Sequence, residues 1–412
     1  MKIQKLYSSI ILLGALCLAG CSSKPIELTI SNDTDLDRNE EMVEVEMGTL
    51  ADLPRQFVVL DAENNQVPYQ VTYDGKLIFL ASVPANGSVV YKVKAGKPLD
   101  FQTIACGQVY PERVDDVAWE NDKAAFRAYG PALQKNNERA FGYDVFTKRG
   151  TKDPVVAARY ALELNNELRK QIGELRRSGQ RLLADSLSNA ISYHIDHGNG
   201  MDDYSVGATL GGGTSALLDE GNIVYPWAYK TCDILDNGPL RFTMKLDYNP
   251  FAIQDDNNIV ESRIISFDAG SYMNKAQIAF NNLSSAKEVV AGLVIHPNNP
   301  EGYVFNKEDG YIAYADLTDH PDRDQGTIFV GAAFPAPLKE AKVQLFTEEE
   351  KDDHKGALGH VLGISDYQPK ATFTYYFGSG WSKADMPSME AWTKYLKDFV
   401  VKANHPLKVN VK

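Results

Sequence analysis

Cysteine is scarce in this 412-residue chain, with four in all. Cys17 and Cys21 stand in an N-terminal leader, which leaves Cys106 and Cys232 for the body. No Cys-x-x-Cys pair occurs, so a zinc site built of thiolates is excluded by count. Two cysteines could join in an oxidising compartment, but their number alone neither requires nor forbids it. Beyond the leader, no apolar run approaches the ~20 residues that a membrane-spanning helix needs. Basic residues are outnumbered, 42 Lys and Arg against 55 Asp and Glu, for a formal charge of -13. Such a balance argues against nucleic acid and against anionic lipid as partners, although a local basic pocket can coexist with it. Gly211-Gly-Gly213 lacks the Lys-Ser/Thr of a phosphate loop, and no dinucleotide fingerprint follows a strand there. No Gly-x-Ser-x-Gly elbow appears, which removes that class of serine hydrolase. There is no internal repeat and no low-complexity tract.

The leader itself is informative. Met1-Lys-Ile-Gln-Lys5 is basic, Ile10 to Gly20 is apolar, and Leu18-Ala-Gly-Cys21 is a lipobox. The pattern predicts a lipoprotein signal over residues 1–20, cleavage before Cys21 and lipid on the Cys21 sulfur. The mature chain would then touch a membrane through that lipid only. Ser22-Ser-Lys-Pro25 places no acidic residue after the cysteine, so an outer-membrane anchor facing the periplasm is expected, with the cell surface as the alternative.

The body reads as mostly β, in two parts. Residues 21–100 form an expected small β-sandwich: Ile26-Glu-Leu-Thr-Ile30 and Met42-Val-Glu-Val-Glu-Met47 alternate, and Asp74-Gly75 marks a hairpin bend. Residues 101–412 carry many short, evenly spaced alternating runs, as expected of a large antiparallel sandwich. Between them the period changes. Leu164, Leu168, Ile172 and Leu175, then Leu183, Leu187 and Ile191, recur at helical spacing. This predicts a helical insertion at about 154–192, begun by Asp153-Pro154 and split near Ser178-Gly179. A further amphipathic helix is expected from Pro387 to Phe399. The stretch from Val117 to Pro131 is read as one strand that presents Arg127 and Tyr129 on a common face.

Polar chemistry gathers in one place. Tyr193 to Gly213 holds two of the seven histidines, three aspartates and six glycines. Glycine is costly within a strand, and crowded His, Asp and Tyr side chains are costly to bury unpaired, so a functional loop on a rigid scaffold is expected. His194 and His197 are candidates for acid–base work, with Asp196, Asp202 or Asp203 as orienting groups. The same pair with an aspartate could bind a divalent metal, or could simply structure the loop; no metal site is assigned. Arg127 offers a planar fork to a carboxylate, and Tyr129 could move a proton if its pKa were lowered. Glu120 and Asp122 lie on one strand face, too close together to flank a glycosidic bond well, so they read as orienting groups, with Asp122 the better for a chemical role. Trp119, Trp227 and Trp381 could stack on sugar rings. Asn121, Tyr204 and Lys230 complete the candidate binding residues. Asp316 to Asp324 reads as a solvated acidic loop.

Trp119-Glu-Asn-Asp122, Phe126-Arg-Ala-Tyr-Gly-Pro131 and His194-Ile-Asp-His-Gly-Asn-Gly-Met-Asp-Asp-Tyr204 resemble domain of unknown function 4861, a family of secreted Bacteroidetes proteins. The likeness extends to Tyr376-Phe-Gly-Ser-Gly-Trp381 and covers most of the mature chain. It implies a glycan setting, since members are often encoded among glycan-degradation genes, those for pectin included. The large β region is similar in outline to galactose-mutarotase-like supersandwich domains. Lys123 departs from the family pattern, where arginine is expected. Together these readings lead to an expected lipid-anchored protein acting on uronate-containing, pectin-type oligosaccharides by proton abstraction, as in a lyase or isomerase. His194, Tyr129, His197 and Asp122 are the expected catalytic groups. The alternatives are a glycoside hydrolase using the same site and a non-catalytic glycan-binding accessory protein.

Overall fold

The computed structural model describes residues 24–50, 53–136 and 138–412. The leader and Cys21 lie outside the described residues.

Alternation along the first hundred residues closes a small sandwich. One sheet runs in the order Lys408–Val411, Ile26–Ser31, Ser88–Ala95, Phe57–Leu60, Gln66–Val67; the other holds Arg38–Glu46, Lys76–Val83 and Tyr69–Val71. Leu28, Val43, Val59, Phe79 and Val93 fill the space between them. The Asp74-Gly75 bend is present, with Gly75 at φ 79°. Residues 21–100 do not build this module alone: Lys408–Val411 returns from the far end of the chain to pair with Ile26–Ser31.

The large part is an antiparallel supersandwich. A nine-stranded sheet, with the 13-residue strand Asp256–Asp268 near its centre, packs against a five-stranded sheet that contains Gly212–Asp219, Lys287–Ile295 and Gly359–Tyr367. Helix Met389–Asn404 covers the larger sheet by burying Trp392, Leu396 and Val400, spaced four apart on one face, and Ser388 caps its start. Cys106 and Cys232 are free thiols.

A four-stranded sheet of Cys106–Tyr110, Asp116–Glu120, Ala124–Ala128 and Asp144–Thr147 carries the rest of the story. The expected single strand over 117–131 is a hairpin. The Asn121 side chain accepts from the amides of Lys123 and Ala124 and so makes the turn, while its Nδ2 donates to the carbonyls of Asp268 and Ser271. Successive strand residues point to opposite faces. Trp119 and Phe126 enter the main core, and Ala118, Ala125 and Phe146 lie on the other side under the helical insertion. Asp116, Glu120, Arg127 and Asp144 share that second side by the same alternation.

The insertion has three helices, Val156–Glu163, Asn166–Arg177 and Arg181–Ile191. Gly179, at φ 79°, makes the expected break, and Asn165 makes another by capping the second helix through Leu168 N–H. Asp153 does not cap the first. The buried Glu120 carboxylate does so from the sheet, accepting from Val155 and Val156 N–H at 2.9 and 3.0 Å. A tertiary contact thus replaces the local cap that the sequence suggested.

Candidate functional site

Loop 193–211 is laced to the strand Asp144–Thr147. Met201 and Thr147 exchange backbone hydrogen bonds, Phe146 bridges Asp202, and at a second bridge, between Tyr143 and Gly211, the Gly212 N–H donates to the Tyr143 carbonyl. Gly200 is required here, because a Cβ would fall 1.7 Å from the Thr147 carbonyl oxygen. This lacing sets Asp202 and Asp203 over the polar side of the sheet. The result is a cleft of about 430 Å³ walled by the sheet, the third insertion helix and the loops around Asp203, His320 and Lys355.

At its floor lies an ion cluster. Arg127 Nη2 is 2.5 Å from Asp144 Oδ2, and Nη1 is 3.7 Å from Asp202 Oδ2. Asp116 lies 3.6 Å from Arg127 Nε. Tyr129 donates to Asp144 at 2.9 Å. The Val117–Pro131 stretch and the His194 loop, distant in sequence, therefore meet in one site. Burial, and then the neighbouring Asp144 charge, push the Asp202 carboxyl well above the usual carboxylate range, against the opposing pull of Arg127 and Arg113. Burial also pushes the Tyr129 hydroxyl upward. Tyr129 is thus no ready base; it is a hydrogen-bonded part of the floor, which corrects its expected catalytic role. Arg127 is hydrogen-bonded through Nη2 to Asp144 and Tyr129, while Asp116 and Asp202 lie near it without hydrogen bonds and Nε has no partner, so it is largely committed to the floor of the cleft.

Two imidazoles stand above this floor. His194 Nδ1 lies 2.6 Å from the Asp202 carbonyl oxygen, and His320 Nδ1 lies 2.6 Å from Asp203 Oδ1. Each is donated by Nδ1, which leaves Nε2 as the basic nitrogen of the neutral ring. Asp203 is 2% exposed and is held further by Gln325 Nε2 at 2.5 Å. His320 was missed in the sequence because it sits in a loop that reads as merely acidic. A histidine embedded among Asp316, Asp319 and Asp322 was the available signal. Tyr204 lines the same cleft with its hydroxyl buried and lacking a hydrogen-bond partner.

The remaining candidates fall elsewhere. His197 is exposed, and its Nε2 meets the Ser192 carbonyl. It shares no face with His194, so the His-x-x-His metal pair does not form. Among the described residues, no group of three or more His, Cys, Asp or Glu is placed to hold a metal ion. Asp196 accepts from Gly198 and Gly200 N–H and pairs with Arg149 at 2.6 Å, so it is a loop staple. Asp122 accepts from Gly270 N–H, and Glu120 is bound to Lys148 at 2.7 Å. Trp119 is fully buried, with Nε1 on Asn274, and cannot stack on a sugar. Asn121 is the hairpin turn described above. Trp381 is buried with Nε1 on the Gln325 carbonyl, and Trp227 lines a separate small hollow. Lys230 is exposed outside the cleft.

The rim near Gly207 rests on a second histidine pair. His354 Nδ1 meets the Ala208 carbonyl at 2.5 Å under the Phe346 ring, and buried His360 Nε2 accepts from Leu210 N–H at 3.1 Å. Burial lowers the His360 pKa from 6.5 to about 3. The unfolded chain therefore binds this proton more readily than the folded one, so stability is full above pH 6.5 and is lost as pH falls towards 3. The loss at the acid end is on the order of 5 kcal/mol. His360→Gln, whose amide oxygen can accept from Leu210, is expected to flatten the fall in melting temperature between pH 7 and 4. Equal slopes for the two proteins would show that His360 is not held neutral.

A family described as "Domain of unknown function (DUF4861)" matches residues 30–409. "Uncharacterized protein P7" of Formosa agariphila is 26% identical over 430 residues, covering 96% of this chain and 97% of that protein. Among solved structures, a protein in the glycosyl hydrolase family 38 from Enterococcus faecalis aligns with TM-score 0.46 at 8% identity, over 94% of this chain and 47% of that one. An alpha-mannosidase from Enterococcus faecalis V583 aligns with TM-score 0.42 at 10% identity, over 94% and 46%. The chain spans about half the length of these two structures.

Proposed function

The chain belongs to the family described as domain of unknown function (DUF4861), and from the chemistry of its cleft we propose that it is an enzyme cleaving uronate-containing oligosaccharides by proton abstraction. The observation that carries this reading is the pair of imidazoles set by consecutive residues, His194 by the Asp202 carbonyl and His320 by the Asp203 carboxylate, over one open polar cleft. In a β-elimination, His320 Nε2 takes the proton from C5, next to the sugar carboxylate. The electron pair left behind forms the C4–C5 double bond as the C4–O bond breaks. The Asp202 carboxyl, whose pKa is pushed up by burial and by the Asp144 charge, gives its proton to the leaving oxygen. Asp203 stabilises the imidazolium as it forms. Arg323 and Lys355 line the same cleft and supply the positive charge for the substrate carboxylate that Arg127 cannot.

A glycoside hydrolase is the second reading, favoured by the same upward-shifted Asp202 carboxyl, which would serve equally as a general acid. The deciding experiment incubates the mature protein, with and without chelator, with pectic and other uronate oligosaccharides. Product mass and ultraviolet absorbance are read together. New absorbance at unchanged total mass establishes the lyase; gain of water without absorbance moves the reaction to hydrolysis; ligand held with no product makes the protein a binder. Neither binding nor product on any uronate would sink the proposal. The pH profile gives a separate check. Activity should fall as pH rises past the raised pKa of the Asp202 carboxyl, which must hold its proton to act as the acid. Asp202→Asn should lower kcat by about 100-fold or more and abolish the alkaline fall. An unchanged alkaline limb would remove Asp202 from the acid role.

Lipid attachment at Cys21, with the protein held on the periplasmic side of the outer membrane, is proposed from the leader alone. The mass of the mature N-terminal peptide decides it.

A further inference from the structure

The cleft continues past the imidazoles. Ser188 and Ser192 line it, and the same two serines line a second polar hollow of about 300 Å³ between the second and third insertion helices. The two spaces share these serines as a wall and so lie side by side at the third insertion helix. Arg169 and Arg176 line the second hollow. They are seven residues apart on one helix, hence on one face, about 10 Å apart along the axis. Arg169 Nε donates to the Glu163 carbonyl at 2.7 Å, which steadies the arm while the two terminal nitrogens keep their donors. Arg176 reaches Asp185 only at 3.7 Å, in an exposed pair that contributes little. Arg323 and Lys355 line the adjoining cleft. The cleft also carries Asp144, Asp202, Asp203 and Asp319, whereas the second hollow sets two arginines against Glu163 alone, so the positive balance lies in the Arg169–Arg176 part.

Gly173 lies between the two arginines in mid-helix, where glycine is unfavourable relative to alanine. A Cβ there would meet only Arg177 Nη1, at 3.5 Å, so close packing does not demand glycine. Its missing side chain leaves the hollow open.

We propose that the cleft and this hollow together form a groove that binds an extended polyanionic sugar chain, whose uronate units beyond the scissile bond run over the insertion helices with carboxylates held by Arg169 and Arg176. A polymer with repeated charge can place a separate carboxylate on each guanidinium group. The inference rests on the cleft being a sugar-chain site and adds the direction and length of the chain.

The test titrates uronate oligomers of two and six units into His320→Ala protein by calorimetry, and compares turnover of the same oligomers by protein with His320 intact. The six-unit oligomer should bind at least about tenfold more tightly than the two-unit one, as charge-assisted contacts of ordinary strength would give. In Arg169→Gln/Arg176→Gln protein that advantage should disappear. Gly173→Phe, which fills the groove without changing charge, should remove it as well. Equal affinity for both lengths, no binding of either, or an advantage untouched by all three substitutions would overturn the groove. The two ideas fail separately: length- and arginine-dependent binding without product would end the proposed chemistry and keep the groove. Product formed equally well from both lengths, with both arginines dispensable, would keep the chemistry and end the groove.

Discussion

His320→Ala should lower kcat on a cleaved oligosaccharide by about 100- to 10,000-fold, the range removed with a positioned general base. The fold should survive, because the His320 side chain is 41% exposed and packs no core. Thermal melting and kinetics on the same preparation separate the two effects. Asp203→Asn should reproduce part of the loss while leaving the imidazole in place. The buried carboxylate that stabilises the imidazolium would be gone, and the amide could present its N–H to Nδ1 in place of an acceptor. His197→Ala should remain near wild type, since His197 stands outside the cleft. If His320→Ala retains full activity and His194→Ala does not, the base is His194, and the acidic loop serves only to wall the site. If neither substitution matters, the paired imidazoles are not the reacting groups, and the central argument for this cleft is lost.

Lys148→Met should destabilise the protein by about 3–5 kcal/mol, as expected when one partner of a buried ion pair is removed. Lys148 Nζ is fully buried, 2.7 Å from Glu120, 2.6 Å from the Asn121 carbonyl and 3.1 Å from the Asp153 carbonyl. Without it the Glu120 carboxylate keeps only the amides at the start of the first insertion helix. The loss should therefore appear first where the insertion joins the sheet, as faster hydrogen exchange through Val156–Glu163 ahead of the strands. Glu120→Gln in the Lys148→Met background should recover part of the stability, because an uncharged amide is cheaper to leave there than a lone carboxylate. Urea denaturation of the four proteins of this cycle measures the coupling. A loss below about 1 kcal/mol in the single lysine variant would mean that solvent reaches Glu120 and that the insertion is held mainly by Val155, Val156 and Tyr160.

Alternation and spacing along the chain determined a good deal. Period-2 runs specified the strands of both sandwiches, since a half-buried strand must alternate. The four-residue spacing of Trp392, Leu396 and Val400 specified the C-terminal helix, and Gly179 its expected break in the insertion. The crowding of His, Asp and Gly between Tyr193 and Gly213 marked the functional loop, because such residues are costly anywhere but a satisfied irregular segment. His194, Asp202, Tyr204, Arg127 and Tyr129 do line the cleft. What only the tertiary structure decided was the partner of each polar group. Glu120 is a helix cap rather than a sugar ligand, because the insertion folds back over its strand. Arg127 is paired with Asp144, which the hairpin and the next strand bring beside it. Trp119 lies in the core although its neighbour Glu120 faces the other way, since the hairpin has one face turned to each layer. His320 entered the site from 117 positions beyond Asp203, and the strand Lys408–Val411 crossed the whole chain to close the small sandwich. Local periodicity reports which side of an element a residue occupies; it carries nothing about which other element arrives there, and the chemistry of a buried carboxylate or imidazole depends on that arrival.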